Sequence, residues 1–222
     1  MKMRKLVFLI LFTLVSCKSE EQLGLASNDP VGGQRDVGGD PSHIDYTDVE
    51  SPLGTRGKWK MSWSTQVGNS IDDHSIELVD DATIPYSDLE ALDCHGYTDA
   101  SEEDKKRFWA LFFSSISLYE TDFNPNTRYW ERGLNVWSEG LFQLSVSTGR
   151  YHNGCEHLTS DNILDPHGNI DCAVAVMRNQ MRVRGSLFPS RAYYWSVLTT
   201  VKKYKVQNFF KSQMSELSFC QL

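Results

Sequence analysis

Glu120 stands where a carboxyl group can do chemistry. It continues an apolar row made by Trp109, Phe112, Phe113 and Ile116, with successive spacings of 3, 1, 3 and 4 residues. That is one face of a helix with 3.6 residues per turn. A carboxylate on such a face is costly unless it is paired or protonated. Burial in an aromatic niche raises the pKa of a glutamate, which is what a general acid working near neutral pH requires. The bland alternative is a side chain turned out to water, or one paired with an arginine such as Arg128. A second group of residues, His152, Cys155, His157 and Cys172, raises the question of zinc. Its spacing matches no common finger pattern, and paired thiols in an exported chain form a disulfide more readily, so no metal or other cofactor is expected. The chain carries no phosphate-binding Gly-x-x-x-x-Gly-Lys-Ser/Thr loop, no Gly-x-Ser-x-Gly elbow and no His-Glu-x-x-His helix.

The elements that must position Glu120 read as helices. Ser101 is a good N-cap, with Asp104 three residues on and Glu102 and Glu103 in the first turn. The helix it starts is expected to end at Asn124-Pro125. Ile170, Ala173, Val174, Met177 and Met181 mark a second helix, and two more are expected around Ser190–Thr200 and Val206–Leu217. No alternating strand stands out after residue 80, and residues 58–93 match no pattern. The fold class is mainly α, with one domain over residues 58–222. Among the 222 residues, 40% are hydrophobic and 12% aromatic, ample for one packed core. The net charge of −7 argues against a nucleic-acid partner and against docking on anionic lipid.

Four segments in order resemble the soluble lytic transglycosylase and goose-type lysozyme group, glycoside hydrolase family 23. They are Glu120-Thr-Asp-Phe-Asn124-Pro125, Ser138-Glu139-Gly140-Leu141-Phe142-Gln143, Asp165-Pro166-His167-Gly168-Asn169-Ile170 and Ala192-Tyr193-Tyr194-Trp195. Together they span roughly residues 100–200. The resemblance implies a lysozyme-like helical domain with a substrate cleft, acting as a monomer on peptidoglycan glycan strands. It assigns Glu120 as the acid that protonates the glycosidic oxygen. It makes Gln143 a substrate-binding or acid-positioning amide, and Gly140 a point where the backbone approaches the sugar. Leu141 and Phe142 would pack the loop, and one of Tyr193 and Tyr194 would line the cleft near the acid. The interval Thr127–Trp137 is longer than the family's usual one and brings Trp130 and Trp137, which could serve as sugar platforms or as core.

Two reactions follow from the resemblance. A lytic transglycosylase needs one carboxylate, because the substrate's own 6-hydroxyl attacks and leaves a 1,6-anhydro end. A hydrolase must hold a water, usually with a second carboxylate. Asp122, Glu131 and Glu139 are the candidates, and Glu139 opens the loop expected to face the acid. The anhydro-forming reaction is slightly preferred on sequence; the further alternative is a lipoprotein whose cleft binds peptidoglycan without cutting it, although such relatives usually lose the catalytic glutamate that this chain keeps. The acidic balance suggests in addition a tolerance for glycan carrying free amines, weakening as salt rises.

The N-terminus points to export. Lys2, Arg4 and Lys5 precede an apolar run from Leu6 to Val15, too short to span a bilayer as a permanent helix. Leu14-Val15-Ser16-Cys17 resembles the lipobox of bacterial lipoproteins. That resemblance makes residues 1–16 a signal peptide and Cys17 an acylated anchor, the chain's contact with the membrane, with Lys18 a cue for the outer membrane. Residues 17–57, rich in Gly, Asp, Ser and Pro, read as a flexible tether. The remaining cysteines favour the pairs Cys155–Cys172 and Cys94–Cys220, since the first pair brackets a local excursion and the second flanks the folded region.

Overall fold

The computed structural model describes residues 48–55, 57–80 and 84–221. The segments expected to be a signal peptide and an acylated Cys17, and most of the expected tether, lie outside them. The tether as read from sequence nevertheless overlaps folded chain. A two-residue strand β1 (Val49–Glu50) pairs antiparallel with β2 (Lys58–Trp59), and Val49 is buried.

The architecture is mainly α. After β2 come α1 (Met61–His74), α2 (Tyr86–Ala91) and α3 (Glu102–Thr121). A hairpin of β3 (Arg128–Glu131) and β4 (Val136–Glu139) follows, then α4 (Pro166–Arg184) and α5 (Lys203–Ser212). Helix α1 packs on both α3 and α4, and α3 packs on α5.

Helix α3 is the centre of the molecule. From Phe108 to Leu118 every side chain is buried, on all faces rather than along one stripe. Such a helix leaves its polar side chains only protein partners, and among the described residues Ser117 Oγ finds none. Ser114 and Ser115 donate to the carbonyl of Leu111, each at 2.8 Å. Phe108 meets Tyr97 and Phe210 edge-on, and Phe113 meets Phe142 at 5.6 Å between ring centres. The Trp109 indole donates to Leu78 O at 2.9 Å. The predicted N-cap is in place, with Ser101 accepting from the backbone N–H of Asp104.

Several expectations are corrected. Helix α3 stops earlier than Asn124-Pro125, because Asp122 turns left-handed at φ 54° and its N–H closes on Leu118 O. Residues 128–139 form a hairpin where no strand was expected. The segment 190–200 is not an α-helix; only a short 3₁₀ turn, Ser196–Leu198, lies within it. The last expected helix starts earlier, at Lys203, and ends at Ser212 before a 3₁₀ turn over Met214–Glu216. Residues 58–93, unassigned from sequence, supply β2, α1 and α2.

Both expected disulfides are present, Cys94–Cys220 and Cys155–Cys172. Closing a 17-residue loop stabilises by roughly 3 kcal/mol in the chain-entropy view. Among the described residues no helix is long and apolar enough to cross a membrane.

Candidate active site

Glu120 occupies the last turn of α3, half-buried, with its pKa pushed up to about 8. Burial is the main cause; the charge of Lys202 opposes it and that of Glu131 adds to it. The unpaired carbonyls at a helix C-terminus disfavour an anion further. Arg128, the arginine that could have neutralised Glu120, is engaged elsewhere: its Nε lies 2.9 Å from Glu139 across the hairpin. At neutral pH Glu120 is therefore a protonated acid, able to donate.

The three candidate second carboxylates have different surroundings. Asp122 accepts from Ser51 Oγ at 2.5 Å. Glu139 is buried and ion-paired to Arg128. Glu131, half-buried at the end of β3, accepts among the described residues a single 3.3 Å bond, from Ser138 Oγ, and it is the one of the three whose charge acts on Glu120. The hairpin register explains this. Arg128, Trp130, Trp137 and Glu139 form two directly opposed pairs on one face, while Glu131 belongs to the other face with Val136 opposite. Trp130 and Trp137 pair at 5.2 Å and are both exposed.

The loop after β4 is built from the inside. Gly140 has φ +75°, and a Cβ there would come within 2.4 Å of Asn169 Nδ2 and 2.8 Å of Ile163 O. Glycine is needed because α4 presses on this backbone, a reason visible without any sugar. Asn169 is fully buried and fully used: Nδ2 donates to Glu139 O and Ile163 O, and Oδ1 accepts from Phe142 N. Thr121 Oγ1, next to the acid, donates to Leu141 O at 3.1 Å. Leu141 and Phe142 are buried as the resemblance implied. Gln143 adopts φ 49° and its amide donates to Thr127 O at 3.2 Å and Gly140 O at 3.1 Å, fastening the loop to the start of the hairpin.

Of the tyrosine pair, Tyr194 is the one beside the acid. Its hydroxyl donates to Gln143 O at 3.4 Å and lies 3.1 Å from Thr148 Oγ1. Burial pushes it up to about 12, and the charge of Glu120 contributes. Tyr193 turns toward His152, 5.8 Å away between ring centres. Trp195 Nε1 donates to Phe142 O at 3.0 Å, completing the wall behind the loop. The thiols of the suspected zinc cluster form the Cys155–Cys172 disulfide, and His157 lies 2.8 Å from Gly168 O. Among the described residues no set of three or more His, Cys, Asp or Glu could hold a metal ion.

Sequence reasoning missed Asn169 and Thr148 as positioning residues and Lys202 as the cation opposite the acid. Asn169 was within reach, because it lies in a quoted segment four residues after the N-cap Asp165. Nothing local marks Lys202.

A central buried helix that ends in an elevated carboxylic acid, held by a glycine-turned loop and a tyrosine, defines the site. No family model and no curated protein matches the chain. Among solved structures it is similar to Bd0314 DslA of Bdellovibrio, at TM-score 0.61 and 27% identity, covering 72% of this chain and 91% of that one. Two variants of DslA, each with a glutamate changed to glutamine, match at TM-scores 0.60 and 0.58, with 27% and 25% identity. Both cover the same shares of the two chains.

Proposed function

We propose that this chain cleaves the β-1,4 bond between N-acetylmuramic acid and N-acetylglucosamine in peptidoglycan strands, with Glu120 as the general acid. The observation that carries the reading is a half-buried carboxyl group in the last turn of α3, its pKa raised by burial, with the Leu141–Gln143 loop fastened to its neighbour Thr121 and Tyr194 close by, as the family resemblance implies. Proton donation to the leaving oxygen contributes typically 10²–10⁴-fold.

Glu131 favours hydrolysis over the anhydro-forming reaction. It is a carboxylate free of any cation partner among the described residues, close enough to influence Glu120, and able to hold a water as base. The two altered glutamates in the DslA variants are eleven positions apart, the interval that separates Glu120 from Glu131 here. The negative charge of Glu131 also favours strands whose sugars carry free amines, an advantage that should fade as salt rises. Two disulfides support action outside the cytoplasm, in keeping with an exported, lipid-anchored chain.

Digestion of purified sacculi, with products separated and weighed, tests the reading. Reducing ends from wild type, with both Glu120→Gln and Glu131→Gln inactive, are the expected result. Anhydro ends with Glu131→Gln still active would return the choice to a lytic transglycosylase. No cleavage by any form would remove the enzymatic reading.

A further inference from the structure

Charge is segregated along this chain. Between Asp171 and Glu216 lie eight arginines and lysines and no acid, so the rest of the sequence stands at −15, eight below the whole-chain value of −7. The fold brings this basic stretch past the acid. At one end, exposed Arg182 and Arg184 close helix α4. Arg182 Nη2 donates to Asn179 at 3.2 Å, and Asn179 lies 3.3 Å from His152, whose ring touches both Tyr193 and Tyr194. At the other end, exposed Lys202 donates to Ser196 Oγ at 3.5 Å, next to Trp195, which holds the loop at Phe142. Exposed Arg191 and Lys205 lie along the same stretch. Among the described residues none of these five cations makes an ion pair.

We propose that Arg182, Arg184, Arg191, Lys202 and Lys205 form a cationic rim that holds the carboxylates of the peptide stems hanging from the glycan strand. An ordinary solvated basic face is the simplest account of any one of them. Arg182, linked through Asn179 and His152 to Tyr193, and Lys202, on Ser196 next to Trp195, stand at two separate points of the wall around the acid, and a ligand that meets both extends past the point of cleavage. A strand bearing an acidic peptide at each muramic acid does so. A chain of net charge −7 is repelled by an anionic bilayer at long range, which disfavours lipid headgroups as the occupant. The rim thus selects stem-bearing strands over bare ones, acting on capture more than on the chemical step.

The proposal rests on the glycan-cleaving reading, and its test separates the two. Binding of the Glu120→Gln protein to sacculi is measured by co-sedimentation, on intact material and on strands stripped of peptides by an amidase. Intact sacculi should bind about tenfold better at low salt, with the difference lost in high salt. The same protein with Arg182→Gln, Arg184→Gln, Arg191→Gln and Lys205→Gln should bind both materials alike, and Arg184→Glu alone should move in the same direction. An unchanged preference for intact sacculi in these variants overturns the rim. Rim-dependent binding to phosphatidylglycerol vesicles, with no preference for peptide-bearing strands, overturns it in favour of a membrane. If the otherwise wild-type protein cuts stripped strands yet shows no stem preference, the rim alone fails. If it cuts neither material, the glycan reading fails with it.

Discussion

The guanidinium of Arg128 lies 2.9 Å from the carboxylate of Glu139, its cross-strand neighbour, and that pairing leaves Glu120, at the end of α3, with no arginine partner among the described residues. The pair is lopsided, since Glu139 is buried while Arg128 is half exposed. Replacing Arg128 by Gln strands a buried carboxylate and should lower stability by about 1–2 kcal/mol, less than for a fully buried pair. Denaturant midpoints would read it. An unchanged midpoint would mean that water already shields Glu139.

Glu120 ties stability to pH in a direction unusual for an acid. Its folded pKa is raised to about 8 from 4.5, so the folded state holds a proton that the unfolded chain releases. The stabilisation is present in full below about pH 4.5 and is lost as pH rises through about 8. Relative to Glu120→Gln, wild type should lose a few kcal/mol across that window. Parallel urea titrations of the two proteins at pH 5 and pH 8.5 measure it, and curves that stay parallel would contradict a half-buried acid that keeps its proton on folding.

Activity should fall on the alkaline side as Glu120 loses its proton. Lys202 lowers this group and Glu131 raises it. Lys202→Gln should therefore move the alkaline limb of the kcat/KM profile to higher pH. Glu131→Gln should move it to lower pH, on whatever residual activity remains. A shift of both limbs in one direction would mean that neither charge acts on Glu120.

The Cys155–Cys172 disulfide ties α4 to the chain that follows the 3₁₀ turn Val146–Arg150, and that turn carries Thr148, the partner of Tyr194. Changing both cysteines to Ala should cost roughly 3 kcal/mol. It should also raise KM more than it lowers kcat, because the wall behind Gln143 loosens while the acid stays on its helix. Thermal melts and steady-state kinetics on sacculi would show whether the two effects separate.

What could be read from the sequence follows from where the signals were periodic. Helices α3 and α4 announce themselves by spacing, α3 also by its N-cap Ser101, and the cysteine pairs by position. Glu120 was legible for the same reason, as a carboxyl on an apolar row. The β3–β4 hairpin was not, because Tyr129, Trp130 and Trp137 are all exposed and no apolar-inside alternation exists to find. A helix was expected around Ser190–Thr200; instead Trp195 is buried by reaching Phe142, a contact 53 residues away in sequence that no local pattern signals. Glu131 could not be singled out before the strand register put it on the opposite face from Glu139.

The hairpin is shut at its root. Gly140 N–H and the Gln143 amide both donate to Thr127 O, and the Glu139 and Leu144 backbones bond to each other in both directions. Movement beyond that clasp need not travel down to the acid. The turn from Arg132 to Asn135, exposed throughout, is thus a natural place to graft a fluorophore or lengthen the chain. A probe there would report when a polymer arrives without disturbing what happens to it.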